Sequence, residues 1–176
     1  METPKSKSGP SILSLFLTLV VFIAAAVYGT IALAAQDWLW FRSGFKVKPD
    51  RVVIYHNGEK AEFTQGDVGY EALAAAVRDS LDRGVARQSG IGMGEVSLQE
   101  AYQKYLTVEA FFYSPVKLHA WFNTYLPTQM LFPITGRHSE LRVVFLGMDG
   151  RYMTNGPVLK DLSPLRAALL ELGYLD

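Results

Sequence analysis

The sequence predicts an α+β fold: one N-terminal transmembrane helix followed by a small domain of antiparallel sheet with helices on one face. Three observations carry that expectation. No residue from Ser11 to Ala35 is charged, and most are Leu, Val, Ile, Phe or Ala. Two Gly-terminated hairpin turns, Asn57-Gly58 and Asp149-Gly150, follow β-branched or apolar runs. Stretches with apolar residues at helical spacing come after each hairpin, before Gly84 and before Gly173.

The apolar run comes first. A helix rises about 1.5 Å per residue and a bilayer core of about 30 Å needs about 20 apolar residues, so residues 11–35 are long enough to span. Inside lipid every backbone polar group must be satisfied within the segment, which leaves helix as the conformation. Pro10 stands before the run, where a missing N–H costs little. Trp38, Trp40 and Phe41 follow it at the depth where amphipathic rings favour the headgroup layer. The competing reading is a signal peptide, with Lys5 and Lys7 as its basic region and Ala32-Leu33-Ala34 as a cleavage site. The run exceeds the roughly 7–15 residues of such a region, which favours a retained signal-anchor. With no Cys in the chain, a lipid-modified cysteine is excluded. Basic residues flank the run on both sides, so charge sets orientation weakly. Signal-anchor logic places the C-terminal domain outside the cytoplasm.

The organisation read from these signals is a short tail (1–10), the anchor (11–35), a membrane-proximal linker (36–50) and a globular α+β domain (51–176). Arg51 to His56 is a β-branched run suited to a strand, returned by residues 60–64 after Asn57-Gly58. Asp67 is the expected N-cap of a helix whose stripe is Tyr70, Leu73, Val77 and Leu81, with Gly84 as its stop. Ser97 and Glu100 form a capping-box pattern for a short helix to about Tyr105. Thr107 to Ala120 reads as a strand pair or one strand interrupted at Pro115. Residues 121–140 read as a turn-rich connection with a short helix at 121–125. Leu141 to Leu146 is the next strand, Arg151 to Thr154 its return, and Ser163-Pro164 the cap and first turn of a last helix. Arg51-Val52-Val53-Ile54 and Arg142-Val143-Val144-Phe145 each open a strand, turn, strand and helix. The two ends therefore read either as a duplicated ββα unit or as two separate instances of a common motif.

Chemistry is sparse. Lys+Arg and Asp+Glu both number 17, so no global field points to nucleic acid. His56, His119 and His138 lack the short spacings of metal ligands, and Gly90, Gly92 and Gly94 lack the order of a dinucleotide loop. No catalytic set, cofactor or metal is expected. One feature exceeds background: a proline-interrupted aromatic region. Phe111, Tyr113, His119, Trp121, Tyr125 and Phe132 are its candidate partner- or ligand-binding residues, with Trp38, Trp40 and Phe41 at the membrane interface. Ala25 and Gly29 form a small-xxx-small pair for helix association. The expectation is a non-enzymatic, membrane-anchored interaction or accessory protein. The alternative is a module that binds a small molecule or envelope polymer in an aromatic-lined groove.

Overall fold

The computed structural model describes residues 11–176; the tail with Lys5, Lys7 and Pro10 lies outside them. Helix α1 (Ile12–Ala35) opens on Ser11, whose Oγ accepts the Ser14 N–H at 3.2 Å. The hydroxyls of Thr18 and Thr30 donate to Ser14 O and Ala26 O, so the helix satisfies its own polar groups. Its side chains are exposed along most of the length, and Ala32 and Ala35 near its end are buried. This helix is long and apolar enough to cross a membrane. Gln36, at φ 52°, ends it with a left-handed cap whose N–H donates to Ala32 O and Leu33 O.

The chain then runs through β1 (Arg51–His56), β2 (Glu59–Thr64), α2 (Tyr70–Asp82), β3 (Val85–Gln88), α3 (Glu95–Gln103) and β4 (Thr107–Phe111). After a long connection come β5 (Gln129–Pro133), a short 3₁₀ turn (Ser139–Leu141), β6 (Phe145–Met148), β7 (Arg151–Tyr152), β8 (Pro157–Leu159) and α4 (Ser163–Glu171). Six strands form one sheet in the order β2-β1-β4-β5-β6-β7, antiparallel throughout, and β3 pairs with β8 in a separate ribbon. The fold class is mixed α+β.

Strand alternation assigns the two faces. Val52, Ile54, Val108, Ala110, Met130, Phe132 and Leu146 point to the main core, where Leu73, Val77 and Leu81 of α2 and Leu165 and Leu169 of α4 meet them. Burial of such a side chain contributes about 1.5–3 kcal/mol of transfer free energy. The second face carries Leu131 and Phe145, covered by Ile91, Met93 and by Leu98 and Tyr102 of α3. Two helices thus share one face and the third lies across the other.

Several local expectations are corrected. Helix α2 is preceded by Gly69; Asp67 instead closes the turn after β2, its Oδ2 accepting the Thr64 N–H (2.7 Å) and hydroxyl (2.8 Å). Helix α3 starts at Glu95 behind Gly94, which puts Ser97 inside it and leaves the capping box unformed. Strand β4 stops at Phe111, and residues 121–125 form no helix. The strand expected from Leu141 begins at Phe145, because Arg142 adopts a left-handed φ of 52°. Its return is only Arg151–Tyr152. Ser163 is the first helical residue of α4, and Asp161 accepts its N–H at 2.8 Å and its hydroxyl at 2.9 Å. The two hairpins occupy opposite edges of the sheet, yet Arg51 lies in a strand and Arg142 does not, so the residue match is not a structural one.

Candidate interaction surface

The segment joining β4 to β5 has no ladder, but it keeps the two-residue alternation of an extended chain. Phe112, Val116, Leu118, Ala120, Phe122 and Thr124 are buried, while the residues between them face outward or lie at the boundary. Its base is held by Phe112 N–H to Thr128 O (2.9 Å) and Val116 N–H to Pro127 O (3.0 Å). Tyr125 and Leu126, at φ 55° and 52°, make a left-handed bend just before Pro127. Such backbone is costly for non-glycine residues and is held here by its surroundings.

The outward side of this segment docks on the end of α1. Lys117 Nζ donates to Gln36 O at 3.2 Å, and Asn123 Nδ2 donates to Gln36 Oε1 at 3.1 Å. His119 Nδ1 lies 2.7 Å from Asp37 Oδ2, and Asp37 Oδ1 accepts the Leu39 N–H at 2.9 Å. Lys117 therefore covers a helix-terminal carbonyl, where a cation complements the helix dipole. Trp121, half exposed at 51%, and Tyr125, at 57%, sit on the same segment with Leu126.

The turn that follows α1 adds more rings. Tyr28 of α1 donates its hydroxyl to Trp38 O at 2.5 Å, and its ring centroid lies 6.1–6.5 Å from those of Trp38, Phe41 and Trp40. Trp38 and Phe41 remain exposed. Between this turn and the docked segment is a cleft of about 220 Å³ lined by Trp40, Phe41, Arg42, His119, Trp121 and Lys160.

Not every expected residue joins this surface. Phe132 is 0% exposed and belongs to the core, because its alternation on β5 puts it on the sheet face that α2 and α4 cover; it is no surface residue. Phe111 is partly buried under the Arg51 guanidinium, 3.9 Å from its ring centroid. Tyr113 is 90% exposed, its N–H bound to Asp50 Oδ2 at 2.8 Å. Those two flank a different cleft, of about 430 Å³, with Arg51, Gln129 and Asp149. In α1, Gly29 has open space around its Cα.

Sequence reasoning missed a buried polar cluster on the second sheet face. Glu109 of β4 is 3% exposed. Its Oε2 accepts the Tyr55 hydroxyl at 3.1 Å, and its Oε1 accepts Tyr102 at 3.4 Å and Tyr152 more closely. Burial, reinforced by the Glu109 charge, pushes the Tyr102 phenol up to about 12 and raises Tyr55 and Tyr152 as well. Tyr55 and Tyr102 also stack, with centroids 4.2 Å apart. The available signal was a carboxylate inside Thr107-Val-Glu-Ala-Phe, where a strand should be apolar on both faces. Its partners come from β1, α3 and β7, so no local pattern announces them. The carboxylate has donors on both oxygens, and this arrangement ties α3 and β7 to the sheet. Among the described residues, no group of three or more His, Asp or Glu converges as metal ligands. Comparison with protein-family models, curated proteins and solved structures returned no match, so the reading of this surface rests on its own geometry.

Proposed function

We propose that this chain is a non-enzymatic, membrane-anchored interaction protein, an accessory subunit that presents its α+β domain at the membrane surface. The observation that supports it is the docking of the aromatic segment on the end of α1 through Lys117, His119 and Asn123. That contact fixes the domain against its anchor and leaves Trp121, Tyr125 and Leu126 exposed beside the membrane. Large exposed rings are the side chains that interfaces favour, and a preformed surface spares the cost of ordering a loop on binding. In this reading α1 is a retained single-pass signal-anchor and the domain is extracytoplasmic, with a membrane protein as partner.

The test is co-purification of the full-length protein, tagged at its C-terminus, from gently solubilised and cross-linked membranes. A partner in fixed ratio, lost with Trp121→Glu or Tyr125→Glu while the domain stays folded, supports the reading. Capture unchanged by both substitutions removes this surface from it.

A second reading, a ligand-binding module, draws support from the cleft beside Phe111. There Gln129 is buried, its Oε1 accepts the Gly150 N–H at 3.1 Å, and its Nε2 has no partner. Ligand-dependent thermal stabilisation that is lost in Gln129→Leu would favour this reading.

A further inference from the structure

We infer that the cleft between the juxtamembrane turn and the docked segment binds the phosphate headgroup of an anionic phospholipid. The inference requires only that α1 lie in a bilayer, and needs no protein partner. Position is the first argument. One wall of the cleft is Trp40 to Ser43, which begins five residues after α1 ends at Ala35; the other is His119 to Trp121, tied through His119 to Asp37 and flanked by Lys117 and Asn123, which bind Gln36 at that same helix end. The cleft is therefore level with the headgroups of the leaflet that α1 enters.

Charge is the second. Arg42 and Lys160 line the cleft, and no carboxylate does. Among the described residues neither has an ion-pair partner, although the nearby Lys46 and Arg83 are paired, with Asp82 at 3.1 Å and Asp161 at 2.6 Å. Asp37, five residues before Arg42, is turned to His119 and the Leu39 N–H, and Asp161, next to Lys160, is engaged by Arg83 and Ser163. Two cations facing a low-dielectric wall without counter-charges form a site for an anion.

The cleft also holds an orphan donor. Trp40 Nε1 is buried without an acceptor, and Trp40 lines this cleft. Buried donors are normally satisfied, and a headgroup oxygen would supply the missing acceptor. The exposed rings of Phe41 and Trp121 complete the rim, and rings of this kind settle at the boundary between headgroups and acyl chains. Acyl chains of a lipid held here would run along the exposed face of α1.

The test uses full-length protein in a neutral detergent, with Tm measured against added dihexanoyl-phosphatidylglycerol, dihexanoyl-phosphatidylcholine or inorganic phosphate. The expected result is a rise of about 3 °C or more at a phosphatidylglycerol concentration about tenfold above half-saturation. Phosphatidylcholine and inorganic phosphate should give less than half of it. Arg42→Gln and Lys160→Gln should each weaken the response about fivefold. Both side chains are exposed, so Tm without lipid should stay at the wild-type value, and Lys60→Gln on β2 should respond as wild type. An equal rise with phosphate alone, an equal rise with phosphatidylcholine, or an undiminished response in the double variant would overturn the assignment. So would the absence of any response. Tyr125 is not among the residues that line this cleft, so Tyr125→Glu should lose partner capture and keep the lipid response, and the two readings fail separately.

Discussion

Asp37 and His119 meet at 2.7 Å, and through them the chain just past the end of α1 grips a segment 82 residues further along. Asp37 is 7% exposed, so its carboxylate depends on that ring and on the Leu39 N–H for its polar partners. With Lys117 and Asn123 bound to Gln36, the contact packs the end of α1 against the domain. His119→Ala removes one partner from a buried carboxylate, at a cost of about 1–3 kcal/mol. The expected outcome is faster amide exchange across residues 116–126 with the β1–β4–β5 ladder unchanged. Exchange that accelerates uniformly over the domain would mean that the contact supports the whole fold.

Glu109 is the acceptor for three phenols on the second face. Glu109→Ala leaves those hydroxyls competing for no acceptor in a half-buried site and opens a cavity beneath α3. The expected loss is about 3 kcal/mol or more by denaturant unfolding. Glu109→Gln keeps an acceptor and the volume and should lose less. Equal loss in both variants would show that charge, rather than hydrogen bonding, holds the cluster.

The same cluster fixes an alkaline limit. Tyr55, Tyr102 and Tyr152 all have folded-state pKa values raised above the unfolded value of 10, with Tyr102 at about 12. Above pH 10 the unfolded chain releases protons that the folded chain keeps, so stability falls as pH rises from about 10 through 12. Below 10 these groups contribute fully. Urea midpoints should therefore be flat from pH 8 to 9.5 and fall beyond 10, less steeply in Tyr152→Phe. A midpoint independent of pH up to 12 would contradict the burial of these hydroxyls.

Gly156 precedes β8 and is packed so closely on Val144 O that an added Cβ would collide with backbone. Its carbonyl also accepts the Ser89 N–H at 2.8 Å, beside the β3–β8 ribbon. Gly156→Ala should cost about 3 kcal/mol or more, since the contact is with main chain and cannot be relieved by a rotamer change. A Tm within 1 °C of wild type would show that this ribbon shifts freely.

What the sequence made legible follows from locality. The Asn57-Gly58 turn adopts φ of 52° and 85°, and Asp149-Gly150 adopts 52° and 76°, because those residue types tolerate left-handed backbone at little cost. The stripe Leu73, Val77 and Leu81 packs as its spacing implied. Ribbon strands β3 and β8 were illegible: Val85-Ala86-Arg87-Gln88 is largely exposed, and its pairing with Pro157–Leu159 is distant in sequence. Strand β5 hid between prolines. At the candidate surface, Trp121 and Tyr125 were readable as an aromatic excess, but Phe132 was not separable from them. Its burial depends on β5 lying between β4 and β6, which no local signal states. The ties from Lys117, His119 and Asn123 to the helix end are likewise long-range and had no pattern of their own.

On the proposed function, the face bearing Tyr125 meets a protein at the membrane. A photo-crosslinking amino acid placed at Tyr125 in the full-length protein, irradiated in native membranes, tests it most directly. The expected result is one discrete protein adduct that is absent when the same probe replaces Glu62 on the outer strand β2. Adducts to lipid alone, or the same protein adduct from both positions, would contradict it.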